Sequence, residues 1–331
     1  MIISRTPFRM SFFGGGTDIP EFFNEEGGSV ISTTFDKYCY VTLRRLPGFF
    51  DYSTELSYSR VERVTDIKKI SHPAIKNCME MLNIDNIRLA YEADLPARSG
   101  LGTSSSFAVG MLNAFHALRG EYSSKKQLSE ESIYLERVLC NEAGGWQDQI
   151  AAAYGGFNRI DFKNNSFTVK PIIIPSERKN KLNQNLLLFF TGFTRFSSEI
   201  QKINSQDNTK SKKEKLRMMK QIVDDAEKIL IDSNSDINDF GRLLDKSWRL
   251  KRQTGSAITT DGIDTLYERG INSGALGGKL LGAGGGGFLL FYVPQEAQQA
   301  VRKELKDLLY IPFNFEDDGS VIIYYNEDKG V

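Results

Sequence analysis

Pro96-Ala97-Arg98-Ser99-Gly100-Leu101-Gly102-Thr103-Ser104-Ser105-Ser106 joins a strand-like run, residues 87–93, to a helical pattern. Phe107, Met111, Ala114 and Leu118 recur at helix spacing, with Ala108, Leu112 and Phe115 beside them. Gly100 and Gly102 allow a tight turn, and four hydroxyl residues follow where a helix leaves its first N–H groups without partners. Such a terminus carries partial positive charge and several donors, which suits a bound phosphate. One cap needs one hydroxyl, so four in a row after Gly-x-Gly predict an anion cradle. No lysine follows the glycines, so this is not a Walker loop. The third glycine of a dinucleotide fingerprint is also missing.

Composition narrows the class. A chain of 331 residues predicts two domains rather than one core. With 40% hydrophobic and 25% charged residues it reads as a well-packed soluble protein. Lys plus Arg and Asp plus Glu balance at 42 each, so no basic field points to nucleic acid or an acidic membrane. Cys39, Cys78 and Cys140 lack any paired spacing, which argues against a disulfide framework and a cysteine zinc site. His72 and His116 are too few for a histidine metal centre. No apolar run reaches membrane-spanning length, and Arg5 and Arg9 interrupt the apolar N-terminus, unlike a signal peptide. The expectation is a cytoplasmic protein, monomer or homodimer, acting on a small molecule.

Outward from the loop, strands rich in β-branched and aromatic residues are predicted at 2–3, 10–13, 30–35 and 38–43. Gly14-Gly15-Gly16 forces a turn, and Thr17-Asp18-Ile19-Pro20-Glu21 starts a helix. Helices follow at 73–82 and 125–140. Gly144-Gly145 then breaks the chain before Trp146-Gln147-Asp148-Gln149 opens another helix. Asn164-Asn165 and nearby prolines predict a boundary, giving domains 1–165 and 166–331. The second half predicts a buried strand at 185–190, amphipathic helices near 216–229, 237–251 and 264–273, and a closing helix at 294–309. Gly282-Ala-Gly-Gly-Gly-Gly287 satisfies G-x-G-x-x-G formally, but the strand Phe288 to Val293 follows it instead of a helix. That context removes a dehydrogenase reading. Mixed strands and helices predict an α+β second domain with a ferredoxin-like sheet, and a final strand at 321–325.

Pro96-x-x-x-Gly100-Leu-Gly-Thr-Ser-Ser resembles the ATP-phosphate loop of the GHMP kinases, which include galactokinase, homoserine kinase and mevalonate kinase. Two further stretches agree in order and separation. Pro7-x-Arg9 with Gly14-x-x-Thr17-Asp18 resembles the first motif of that superfamily, and Leu281-Gly-Ala-Gly284-Gly285-Gly286-Gly287 the third, a glycine hairpin beneath the phosphate loop. The resemblance spans nearly the whole chain. It implies a two-domain α+β fold, with an N-terminal nucleotide-binding domain, a C-terminal ferredoxin-like domain, and ATP and acceptor held between them.

By that resemblance Pro96, Arg98, Ser99, Gly100, Leu101, Gly102, Thr103, Ser104, Ser105 and Ser106 would hold the ATP phosphates. Ser104 and Glu136 would hold Mg²⁺, with Glu142 the competing acid, and Asp148 would be the base beside Arg9. Galactokinases carry Glu-His where this chain has Gly15 and Gly16, so the grip on the acceptor differs; Gly15, Gly16, Thr17, Asp18, Gly145 and Trp146 would line it. Gly-Gly-Trp-Gln-Asp-Gln resembles fucokinase-like and heptose-phosphate kinases, implying phosphorylation of an anomeric hydroxyl on a sugar phosphate. A phosphorylated acceptor needs a second anion site, for which Lys37, Arg44, Arg45, Arg195 and Arg252 are candidates and Arg195 is preferred. A fucose- or galactose-type kinase and a non-catalytic sugar sensor of the same fold remain alternatives.

Overall fold

The computed structural model describes residues 1–97, 99–192 and 210–326. Arg98 and Arg195 lie outside the described residues. The first half runs β1 (Ile2–Phe13), α1 (Pro20–Glu26), β2 (Gly28–Arg45), β3 (Thr54–Ser57), β4 (Val61–Val64), α2 (Pro73–Leu82), β5 (Ile87–Ala93), α3 (Thr103–Leu118), α4 (Lys125–Ile133), α5 (Gln147–Tyr154), β6 (Asn158–Lys163) and β7 (Ser166–Pro171). There follow α6 (Ser176–Gln184), β8 (Leu186–Phe190), α7 (Lys210–Ile231), α8 (Asn238–Arg252), α9 (Asp261–Asn272), β9 (Gly277–Leu280), β10 (Phe288–Tyr292), α10 (Gln298–Glu304), β11 (Leu309–Ile311), β12 (Phe315–Glu316) and β13 (Val321–Tyr325).

The large sheet is ordered β13-β1-β2-β5-β3-β4, with β6, β7 and β12 attached along β2. The strands expected separately at 30–35 and 38–43 are one long β2, which pairs with β1 from Ile2↔Leu43 to Phe13↔Ile31 and shifts register near Pro7. The second sheet, β11-β8-β10-β9, is antiparallel throughout, and its connections through α7–α9 and α10 match the ferredoxin-like arrangement expected.

Three expectations fail. The division at 165/166 falls in the turn of the β6–β7 hairpin, where Asn164 and Asn165 both take φ 52° and join strands of one sheet. Paired left-handed asparagines are hairpin chemistry, so this signal marked a turn and not a boundary. The strand expected at 321–325 forms, but although it lies within the expected second domain it returns to the first sheet and pairs with β1. The helix expected over 294–309 is shorter, spanning α10 only.

The core explains how the halves are held. Phe8, Met10, Phe12, Phe13 and Ile31 from the first sheet share one apolar cluster with Ile222, Val223, Phe240, Leu244, Leu281 and Leu290. Fully burying one such side chain contributes about 1.5–3 kcal/mol, and the cluster crosses the seam between the sheets. The site lies on this seam.

Candidate active site

Arg9 sits near the middle of β1, 3% exposed, where alternate residues face the seam. Its guanidinium grips Asp148 with two parallel bonds, Nε to Oδ1 and Nη2 to Oδ2, both 2.8 Å. A third donor, Nη1, reaches the Gly100 carbonyl at 2.7 Å. Asp148 stands in the first turn of α5, started by the Gly144-Gly145 break. The geometry therefore ties base candidate, arginine and phosphate loop together, and bidentate pairing fixes the orientation of the carboxylate.

The loop is shaped by contact with the glycine hairpin. Gly100 has φ 84°, and a Cβ there would stand 2.3 Å from the Leu281 carbonyl oxygen. A Cβ on Gly282 or Gly287 would meet Gly100 Cα at 2.4 Å or Ser99 O at 2.2 Å. The hairpin lies against the loop as expected, but the contact runs through Gly282 and Gly287. Of the three glycines singled out, Gly284 abuts Ile258 and the Gly285 amide donates to the Ile258 carbonyl, so these serve the hairpin's outer side.

Gly102 caps α3 in the left-handed region with no side-chain cap, which leaves the first amides of the helix to the loop. The four hydroxyls divide. Ser104 and Ser105 donate to the two carboxylate oxygens of Glu136 at 2.8 and 2.7 Å. Ser106 turns away and donates to the Pro7 carbonyl at 2.9 Å, so it anchors α3 to β1 and is not part of the cradle. Thr103 and Leu101 are buried, and the Ser99 hydroxyl is buried without a partner. Pro96 is exposed at the loop entrance.

Glu136, 2% exposed, lies in a π-helical turn, residues 134–139, that continues α4. The sequence predicted one helix over 125–140; the wider turn is invisible to 3.6-residue periodicity. Gln149 also donates to Glu136. Glu142, its rival, has no such partners among the described residues: burial raises its carboxyl above the usual range, and the charge of Glu136 adds to this.

On the acceptor side, Asp18 is 3% exposed and accepts from the amides of Gly16 (2.8 Å) and Gln147 (3.3 Å). Burial pushes its carboxyl up; those amides oppose the shift and the Asp148 charge adds to it. Gly145 must be glycine, because a Cβ would lie 1.8 Å from Asp18 Oδ2. Trp146 packs its ring on Phe23, centroids 4.9 Å apart, and donates its amide to the Asp18 carbonyl.

Thr17, expected to line the acceptor site, is buried in the turn after β1. Its hydroxyl donates toward the Gly14 and Ser29 carbonyls and accepts the Ser29 amide, which braces the turn. Among the anion candidates, Arg44 and Arg45 pair with the start of β5, about ten residues and roughly 33 Å along β2 from the Arg9 register. Lys37 is engaged by Asp36, and Arg252 by Asp264 at 2.7 Å.

Two lysines escaped the sequence reading. Lys279 of β9, 3% exposed, donates to the carbonyls of Ser11 and Phe12 at 2.7 and 3.0 Å, stitching the second sheet to β1. Lys251 of α8 donates to the Gly282 carbonyl at 3.0 Å. Both belong to patterns, a strand and a charged helix face, that carry no chemical signal alone.

Known proteins resemble this chain along nearly its whole length. Residues 67–156 match the GHMP kinases N terminal domain, and residues 223–311 the GHMP kinases C terminal domain. The D-glycero-alpha-D-manno-heptose 7-phosphate kinase of Campylobacter jejuni is 31% identical over 96% of this chain and 97% of its own length. The L-fucokinase/L-fucose-1-P guanylyltransferase of Bacteroides fragilis is 26% identical over 91% of the chain, which spans 35% of that protein. A solved D-glycero-D-manno-heptose 1-phosphate kinase from Bacteroides thetaiotaomicron shares the fold, with TM-score 0.80, 23% identity and coverage of 99% of this chain and 100% of that one. From its motifs, its fold and its full-length relative, the chain belongs to the GHMP kinases.

Proposed function

We propose that the chain transfers the terminal phosphoryl group of ATP to the anomeric hydroxyl of D-glycero-D-manno-heptose 7-phosphate, giving the 1,7-bisphosphate. The observation that carries the kinase chemistry is the Arg9–Asp148 pair at the mouth of the Gly100–Gly102 loop. The acceptor class rests on the full-length heptose 7-phosphate kinase relative.

Phosphoryl transfer is chiefly positioning and neutralisation of charge. The loop amides hold the phosphates, and Arg9 faces the charge in transit. Asp148 receives the proton of the attacking hydroxyl, a contribution of about 10²–10⁴-fold for a general base. Glu136 and Ser104 would hold Mg²⁺; a carboxylate and a hydroxyl 2.8 Å apart are hard oxygen donors that fit it. When bound, the ion neutralises phosphate charge.

A free-sugar kinase is the second reading, favoured by the fucokinase relative. ADP release with MgATP separates them, using heptose 7-phosphate, mannose, mannose 6-phosphate, fucose and galactose, with phosphorus NMR of the product. A new anomeric phosphate on heptose 7-phosphate alone is the expected result. Turnover of a free sugar alone removes the sugar-phosphate assignment. Asp148→Asn is expected to lower kcat by about 10²–10⁴-fold while ATP still binds.

A further inference from the structure

Gly15, in the turn between β1 and α1, faces three polar side chains that no step above uses. A Cβ on Gly15 would stand 3.6 Å from Lys251 Nζ, 3.7 Å from Gln147 Nε2 and 3.7 Å from Ser11 Oγ. Those are ordinary van der Waals separations, so the position tolerates a methyl group. Its φ is not positive either, so the backbone makes no demand for glycine. Three polar side chains from β1, α5 and α8 thus converge on a point where the chain places nothing.

Two of the three lack hydrogen-bond partners. Ser11 is 5% exposed and its hydroxyl is unpartnered. The Gln147 Oε1 is likewise shut from solvent and unpartnered. Buried polar atoms left unmet destabilise the free protein, and a ligand that meets them recovers the loss. Lys251 donates one hydrogen bond, to Gly282, and an ammonium has three protons.

The chemistry of the trio selects the ligand. A serine hydroxyl both donates and accepts, and a carboxamide presents one donor and one acceptor whichever way round it lies. A phosphate offers only acceptors and would leave the amide oxygen unmet, with the Asp18 carboxylate close by. Neighbouring sugar hydroxyls, each a donor and an acceptor, match all three groups.

We propose that Ser11, Gln147 and Lys251 form the subsite that grips vicinal hydroxyls of the acceptor sugar, with Gly15 kept small to leave them room. The assignment rests on the sugar-kinase reading above. It makes these residues determinants of acceptor affinity and places the acceptor's phosphate elsewhere.

The test compares wild type with Gly15→Ala and Ser11→Ala in steady-state ADP release across the same five sugars, alongside melting temperatures. In both variants KM for the acceptor that wild type uses should rise about ten-fold, with KM for ATP within about two-fold and melting unchanged. An unchanged acceptor KM in Gly15→Ala overturns the subsite and leaves the kinase reading standing. Parallel rises for ATP and acceptor overturn it too, since they mark a general disturbance. Should Gly15→Ala melt early, Ser11→Ala, which only deletes an oxygen, decides by the same comparison. If wild type turns over none of the five, the kinase reading itself has failed and the subsite falls with it.

Discussion

Lys251 is the residue whose ionisation the seam alters within a useful range. Desolvation pulls its ammonium down to about 8, Arg9 pushes the same way, and Asp18 and Asp148 oppose them. Its buried neighbour Lys279 is pulled well below the usual lysine range, first by desolvation and then by the charges of Lys251 and Arg9. The folded value of Lys251 lies below that of a free lysine, so it destabilises the fold below about pH 8, and the penalty fades as pH rises toward 10.5. For activity the sign is opposite, because the subsite needs the ammonium. Acceptor KM is expected to climb as pH passes through about 8 in wild type, and to be higher and flat across that range in Lys251→Met. A pH series of kcat/KM for both substrates checks this. Arg9, Asp18 and Asp148 were legible because each stands in a motif of fixed spacing, while spacing left Glu136 and Glu142 both open. Ser11, Gln147 and Lys251 were not, since their meeting depends on two helices and a strand far apart in sequence.

At the scale of elements, α3 and the glycine hairpin act as one unit. The hairpin backbone presses against the phosphate loop at Gly100, where both the left-handed φ and the 2.3 Å approach exclude a side chain. Gly100→Ala should lower stability by more than the roughly 1 kcal/mol of backbone strain alone, and should raise KM for ATP before that for the acceptor. Gly48→Ala, with nothing within 4 Å, is the silent control in the same melting and kinetic assays. The sequence showed that a strand, and not a helix, follows Gly287; this separated the hairpin from a nucleotide fold. It could not show which glycines touch the loop, because Gly284, Gly285 and Gly286 look identical to Gly282 and Gly287 without the partner backbone. The π-helical turn at Glu136 was hidden for a similar reason.

For the whole molecule, the two sheets share one apolar cluster, and Arg159 of β6 adds ion pairs to Asp224 and Glu227 of α7 at 2.7 and 2.6 Å. Thermal unfolding should therefore be a single transition by both calorimetry and circular dichroism. Residues 1–165 expressed alone should aggregate in gel filtration, since they would expose Phe12, Phe13 and the outer edge of β1. The α+β plan with a second, ferredoxin-like sheet was legible from the order of strands and helices. The returning strand was not, because Val-Ile-Ile-Tyr-Tyr fits either sheet equally well. Its placement carries a consequence for biosynthesis. The Met1 amine meets the Asn326 carbonyl, 325 positions away, and β13 covers the β1 edge at Ile2 to Arg5. On the ribosome, that edge has to wait until the segment leaves the exit tunnel. Chaperone capture of nascent chains should persist until residues 321–325 have left the tunnel.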